Sequence, residues 1–444
     1  MSNPAMQPQS GTVFLTGTDA PLQSVVSFQV DITGLSVTDA NNNSQSVLTG
    51  TQTVDFARLN GLHTLLDINT IPGGTYNSVT VTLANPQISF LNVASPQTTP
   101  PTRPTVTTLN GTTSPAVTLT ASSVTIPLAT PLMVSTGNIT GLSFEFNLRK
   151  SIAVDAMGQI TGAVTPALNL KAITPSDADA FIDDFVAGVV SVNAGGNSFV
   201  IQGPHGHQFT VNVNGQTEWE NNESINDLTS NSIIELSGTL DRLTATFLAD
   251  SVGILSQDHF FAGGLVTFEE PQTGTATDFD LYVRSVLPSG TGFNSGQIST
   301  INLTGNEIFY IYWMHNSFTN MFFNAALLTP GQHVSIGGPF TTGAVTVKRV
   351  VLRHEGHTGT LVANSTNVGA HTFQFNSKGL AGVLFNGPIT VFVTPFTRFG
   401  GGLMQLSDLT SNPTNPLRVV GLVLKDPVSG QPVFVARSVV ELTN

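Results

Sequence analysis

The chain has no cysteine. Disulfides, thiolate metal sites and a cysteine nucleophile are therefore excluded, and both reducing and oxidising compartments suit it. Charge is scarce too: Asp, Glu, Lys and Arg make up only 10% of its 444 residues, well under half the usual share of a soluble globular protein. Thr, Ser, Asn and Gln must supply the wet surface instead. No run approaches the roughly 18–20 apolar residues of a membrane-spanning helix. Residues 1–10, MSNPAMQPQS, have neither the basic nor the apolar region of a signal peptide. No phosphate-binding G-x-x-x-x-G-K-[ST], no G-x-S-x-G elbow and no dinucleotide fingerprint occurs, so the usual nucleotide-site and serine-hydrolase signatures are missing.

What is present is β-forming material. An apolar share of 40% supplies several cores, and the length implies about two to four domains. Many short β-branched runs between Gly and Pro turns indicate an all-β protein. The formal charge is −13, from 28 acids and 15 bases, and such a field repels phosphate backbones, so no nucleic-acid partner is expected. The imbalance is local. Residues 185–257 hold seven acids and one base, Arg242, whereas residues 356–444 hold three acids and five bases. The C-terminal part is therefore the one able to tolerate an anionic ligand.

The organising stretch is residues 209–252, which reads strand, connection with Asp-Leu-Thr-Ser, strand, turn, strand. It returns near the C-terminus, where Thr397 answers Thr217 and Asp408-Leu409-Thr410-Ser411 answers Asp227-Leu228-Thr229-Ser230. A third, more worn copy carries Leu328-Thr329-Pro330-Gly331-Gln332-His333-Val334 at the same place. A recurring unit of this size fixes architecture before any local assignment.

In chain order, Val26, Phe28, Val30 and Ile32 alternate with polar residues, the period-two pattern of a half-buried strand. Ile71-Pro72-Gly73-Gly74-Thr75-Tyr76 reads as a turn followed by a strand with Val79, Val81 and Leu83 inward. Residues 95–115 hold five prolines and no apolar period, which predicts a long mobile surface excursion. Thr174-Pro175-Ser176-Asp177 has the form of a short helix start. The expected division is a flexible tether over 1–10, a β-sandwich over 11–173, an acidic linker over 174–184, and repeats over 185–257, 258–355 and 356–444. Each repeat is expected to close five or six short strands into a small OB-like β-barrel, because closure removes exposed edges.

Thr18-Asp19-Ala20-Pro21, Ile71-Pro72-Gly73-Gly74-Thr75-Tyr76 and Phe144-Glu145-Phe146-Asn147-Leu148 resemble a bacterial family catalogued as domain of unknown function 4382. That resemblance implies a transthyretin-like sandwich at the front of a secreted lipoprotein, with residues 1–10 as the tether behind a lipidated cysteine and Met1 in place of a processed leader. Membrane attachment is expected only through such an anchor. The three repeats resemble the OB-like units catalogued as domain of unknown function 5666, through Thr217-Glu218-Trp219, Asp227-Leu228 and Gly238. The middle repeat departs most, with Ala326-Leu327 in place of Asp-Leu and a long insertion around 287–306. Neither resemblance implies an activity.

The residues able to carry chemistry are few. Asp177, Asp179, Asp183 and Asp184 crowd the linker, where calcium is the candidate ion, against the plainer reading of solvated acids at a helix start. His205 and His207 extend from one side of a strand, as a metal pair or as a polar hairpin tip. His354-Glu355-Gly356-His357 lacks the spacing and the helix of a zinc hydrolase. Glu218, Glu220 and Glu223 flank Trp219, which is either a glycosidase or sugar-platform arrangement or, since Phe399 repeats the aromatic without the acids, a packing position. Phe309-Tyr310-Ile311-Tyr312-Trp313-Met314 has two apolar faces, covered by a neighbouring module or exposed as a partner or glycan surface through Tyr310, Tyr312 and Trp313.

The expectation is a non-enzymatic, extracytoplasmic bacterial structural or binding protein without a cofactor, its partner a glycan or a protein. The alternatives are a self-assembling surface fibre subunit and a glycan or metal-assisted hydrolase.

Overall fold

The computed structural model describes residues 10–20, 22, 24–92, 102–156, 159–177, 180–202, 208–220, 223–230, 232–241, 246–255, 259–271, 273–288, 290–311, 322–341, 344–377, 387–410 and 415–442. The fold is all-β, a sandwich followed by three small barrel-like units, of which the first and third close into rings and the middle one is an open sheet among the described residues.

One sheet of the sandwich has the order Leu168–Ile173, Ile139–Asn147, Ser10–Ala20, Thr64–Pro72, with the middle two strands parallel. The other is built on the long antiparallel pair Val25–Asp39 and Gly74–Asn92. Period-two side chains from both sheets meet inside: Val13, Leu15, Leu142 and Phe144 from the first, Phe28, Val30, Ile32, Val79, Val81 and Leu83 from the second. Phe28, Phe56, Phe144 and Phe146 form the centre, with ring centroids 4.9–5.3 Å apart. Val26 departs from the expected parity. A register shift between Val25 and Ser27 turns Val26 out of the sandwich and onto Leu265 and Tyr282 of the second barrel. The Pro-rich excursion also contains structure, since Thr105–Leu109 is a strand paired with Gly74–Asn92.

The first barrel comprises Ile182–Asn193, Ser198–Gln202, Gln208–Asn212, Ile233–Leu240 and Phe247–Leu255. Its first strand lies between the second and fourth; the fifth is antiparallel to the fourth and parallel to the third, so the ring closes. The third barrel, Glu355–Leu361, Thr372–Ser377, Ile389–Gly400, Pro416–Lys425 and Pro432–Glu441, repeats that order. The second does so with a broken third strand: Ile298–Asn302 pairs with the second strand, and Ile308–Ile311 runs parallel to the fifth. This is the OB arrangement.

The repeated residues have repeated jobs. Thr217 Oγ1 donates to the Ala249 carbonyl at 2.9 Å, and Thr397 Oγ1 donates to the Ala436 carbonyl at 2.6 Å, each bracing strand three against strand five. Trp219 and Phe399, two residues on, pack against their barrel cores. A 3-10 turn before strand four, Ile225–Asp227, Ala325–Leu327 and Leu406–Thr410, precedes the buried Leu228 and Leu328 and contains the buried Leu409. The partner of Asp227-Leu228 in the middle barrel is thus Leu327-Leu328, one residue beyond the expected Ala326-Leu327. Glycine is required on strand four by close approach: a Cβ at Gly238, Gly338 or Gly421 would lie 2.1, 2.1 or 2.0 Å from a carbonyl oxygen of the chain opposite.

The linker is shorter than expected. The first barrel strand begins at Ile182 and so includes Asp183 and Asp184, while Thr174–Asp177 forms a turn closed by Asp177, whose Oδ2 accepts from the Thr174 amide at 2.6 Å. Glu355 likewise opens the third barrel.

The four modules pack on one another. Phe14, Leu65, Ile139 and Ile173 of the sandwich share a cluster with the first barrel, and Leu422 and Val435 of the third barrel join the core of the second. The scarce charges sit at these joints. Arg103 of the sandwich meets Asp278 and Asp280 of the second barrel at 2.5 and 2.6 Å. Lys425 meets Glu269 at 2.9 Å, joining barrels three and two. Arg353, between barrels two and three, pairs with Glu235 and Glu220 of the first. Arg398 and Arg437 of the third barrel both pair with Asp250 of the first, over the ring of Phe181.

Candidate functional site

The outward parity of the four-stranded sheet builds one wall of an inter-module cleft. Leu142, Phe144, Phe146 and Leu170 point into the sandwich, so Ser143, Glu145, Asn147, Asn169 and Lys171 point away from it. The N-terminal half of that outer face, with Phe14 and Ile139, is covered by the first barrel. Its other half stays polar and faces Pro416, Arg418, Val440 and Glu441, on strands four and five of the third barrel, across a cleft of about 740 Å³. This is a different part of the barrel from the strand-two and strand-three face typical of OB ligand sites.

Local chemistry fixes both ends. Asn147 Oδ1 accepts from the Lys150 amide at 3.0 Å, capping the short helix Leu148–Ser151 and leaving Arg149 and Lys150 exposed at the rim. At the floor, Asn60 Oδ1 accepts from Thr358 N at 3.2 Å and Oγ1 at 3.1 Å. A Cβ on Gly61 would come within 2.9 Å of the His357 amide, so the two modules touch by bare backbone here. Buried Arg418 places Nη1 2.9 Å from His63 Nδ1, and His63 lies 3.7 Å from Asp183.

The acids at the cleft are hydrogen-bonded or buried. Glu145 Oε2 accepts from Asn169 at 3.5 Å, Glu441 from Asn415 at 2.7 Å, and Asp177 closes its turn. Asp19 is buried, and neither carboxylate oxygen accepts a well-formed hydrogen bond. Burial pushes its pKa well up; the Leu148 amide opposes this, and the charges of Glu145 and Asp55 add to it. Its register opposite Phe146 turns the carboxyl toward the sandwich interior, behind the cleft wall. Four of the chain's 15 Lys and Arg residues line the cleft: Arg149, Lys150, Lys171 and Arg418.

Two other hollows are less suited to a specific ligand. One of about 570 Å³, between the sandwich and the first barrel, mixes Asp55 and Arg58 with Leu65, Phe185 and Ile233. One of about 520 Å³ lies at an open corner of the second barrel beside Glu307 and Phe309.

The residues singled out in the sequence lie elsewhere, apart from Asp177. Trp219 is half-buried against the core of the first barrel, paired opposite Val252. Glu220 is buried and held by Arg353 at 3.5 Å, while half-buried Glu223 accepts from the Ile254 amide at 3.3 Å. Burial raises the Glu223 pKa to about 7, against the pull of that amide and with the help of the Glu220 charge. None of Glu218, Glu220 and Glu223 lines the three hollows. Tyr310 is half-buried on a strand whose neighbours Phe309 and Ile311 pack inward, and Phe309 meets Phe323 edge-on at 5.4 Å. Tyr312, Trp313, Asp179, His205 and His207 lie outside the described residues, as does the side chain of Asp184. Asp177 and Asp183 have separate partners, the Thr174 turn and His63. Glu355 lies 3.1 Å from His357, and burial pushes the His354 pKa well down. Among the described residues no three His, Asp or Glu side chains are grouped to hold a metal.

The cleft was missed because its residues come from many distant segments of the sandwich and the third barrel. The available signal was the alternation Leu142-Ser143-Phe144-Glu145-Phe146-Asn147, which places the polar parity on one outer face.

A family model described as a domain of unknown function (DUF4382) matches residues 10–161. The N-terminal part of the chain is similar to that family. The matched span covers both main sheets of the sandwich except the edge strand Leu168–Ile173, and it contains Ser143, Glu145 and Asn147 of the cleft wall. No curated protein matches the chain.

Proposed function

We propose that the protein is a non-enzymatic, extracytoplasmic bacterial binding protein whose ligand is an oligosaccharide held between the sandwich and the third barrel. The observation that carries this reading is the cleft itself: Thr18, Ser143, Asn147, Asn169 and Thr358 bring hydroxyl and amide groups from two modules to one hollow of about 740 Å³. A few convergent polar groups in a concave inter-module site are what hydroxyl-rich ligands require. The extracytoplasmic location is supported by the likeness of the N-terminal part to a family found at the front of secreted lipoproteins, and by the resemblance of the barrels to the OB-like repeats of domain of unknown function 5666.

A glycan array probed with the full chain tests the reading. Retention of one glycan class, lost in the double variant Asn147→Ala, Asn169→Ala, is the expected result; an array unchanged by that variant removes the cleft from the proposal. The hydrolase alternative draws on Glu223, whose pKa near 7 suits a general acid. Turnover of any arrayed glycan that is abolished in Glu223→Gln would establish it instead.

A further inference from the structure

Resting on the cleft as the glycan site just described, we infer that two facing glycines, Gly61 of the sandwich and Gly356 of the third barrel, space the cleft walls and so determine how thick a ligand enters. Their need is reciprocal. A Cβ on Gly356 would lie 2.4 Å from the Asn60 carbonyl oxygen and 2.7 Å from the carbonyl carbon of Gly61. A Cβ on Gly61 would lie 2.9 Å from the His357 amide and 3.1 Å from the carbonyl carbon of Gly356. In each case the nearest atoms are backbone of the other module, which cannot swing aside as a side chain can.

The barrel itself does not call for a glycine at position 356. Glu355 pairs with Gly421 on strand four as Phe260 pairs with Gly338 in the second barrel, so Gly356 stands level with Phe261. One copy of the unit carries a phenylalanine there, and the copy that meets the sandwich carries no side chain. Each glycine is also tied by backbone to its own wall. Asn60 bridges to Asp19, on the strand that runs beside Ile139–Asn147 with its Ser143, Glu145 and Asn147. Gly356 and Thr358 pair with Val420 and Arg418 on Pro416–Lys425, which supplies the opposite wall. Asn60 Oδ1, accepting from Thr358, locks the contact. Turning 2.4 Å into an ordinary contact requires about 1 Å of separation at the floor, and sheets linked in this way carry that separation to both walls.

Distance measurement by spin labels tests the inference, since a chain without cysteine accepts two labels unambiguously. Exposed Val154 of the sandwich and exposed Asn376 of the third barrel are changed to cysteine for the purpose. Gly356→Ala and Gly61→Asn should each shift the mean label distance by about 1 Å or more and weaken the glycan class retained by wild type about tenfold or more. Gly61 has a φ of 68°, which asparagine tolerates, so this variant serves where Gly356→Ala does not fold. Gly195→Ala, with open space around it, should do neither. Unshifted distances in both variants overturn the inference and leave the glycan reading standing. A shift in Gly356→Ala with none in Gly61→Asn overturns it too, assigning Gly356 to its own barrel. Shifted distances with wild-type glycan retention overturn the role in ligand choice. A wild-type chain that retains no glycan sinks the glycan reading and that role together, and the label distances then decide the spacing by themselves.

Discussion

The first and third barrels have the same strand order, the same threonine brace and the same buried leucine, yet carry opposite charge. In sequence the contrast is seven acids and one base against three acids and five bases. In space it resolves into contact, because Asp250 of the first barrel receives both Arg398 and Arg437 of the third. What the repeats share builds each barrel, and what they do not share joins the barrels together. The surplus of bases read as tolerance for an anionic ligand is met in part by the protein's own carboxylates.

The largest break in this arrangement is expected at Arg353. Its side chain is 4% exposed and pairs with Glu220 and Glu235, 6% and 14% exposed, while Nε donates to Ser335 at 2.6 Å. Arg353→Met leaves two carboxylates desolvated without a counter-charge, a change expected to cost about 3–5 kcal/mol. Calorimetry should show the first barrel melting earlier, apart from the remaining modules. A variant melting as one unit at the wild-type temperature would mean that apolar contact alone couples the barrels.

Asp250→Asn should act in the same direction with less force, about 2–3 kcal/mol, because Asp250 is 23% and Arg398 53% exposed. Burial by itself would raise the Asp250 pKa; the charges of Arg437 and Arg398 outweigh it and hold the carboxyl below its ordinary value. A carboxyl depressed in the folded state contributes stability above its unfolded pKa, near about 4, and loses it as pH falls through the folded value. The gap between wild type and Asp250→Asn should therefore be full at pH 7 and vanish in acid. A gap independent of pH would assign the effect to packing. High salt should narrow it at neutral pH.

The fold was legible where a residue's job is local. The period-two strands, the Pro72-Gly73 turn and the Thr217 and Thr397 braces follow from alternation, turn chemistry and repetition. The middle barrel was harder because another residue occupies the position. Glu307 stands where the threonines stand, accepting from Thr304 N and Oγ1 at 2.8 Å, and Phe309 takes the place of Trp219 and Phe399. A search for Thr-x-aromatic passes over Glu307-Ile308-Phe309. The cleft was not legible at all, since Ser143, Lys171 and Arg418 meet only after two modules have docked. No sequence period reports a docking angle.

The smallest effect sharpens the comparison within the first barrel, between its two neighbouring carboxylates. Glu220 has Arg353, whereas Glu223 has the Ile254 amide and a pKa raised to about 7 by burial. A carboxyl raised on folding supports the folded state below its unfolded pKa of roughly 4.5 and progressively loses that support as pH rises through about 7. Glu223→Gln keeps an acceptor for the Ile254 amide and removes the charge. It should match wild type near pH 4.5 and exceed it by about 2 °C in Tm at pH 8, the half-exposed position keeping the gain small. A variant less stable than wild type at pH 8 would show that Glu223 is ionised and paired there, and the asymmetry between the two carboxylates would disappear.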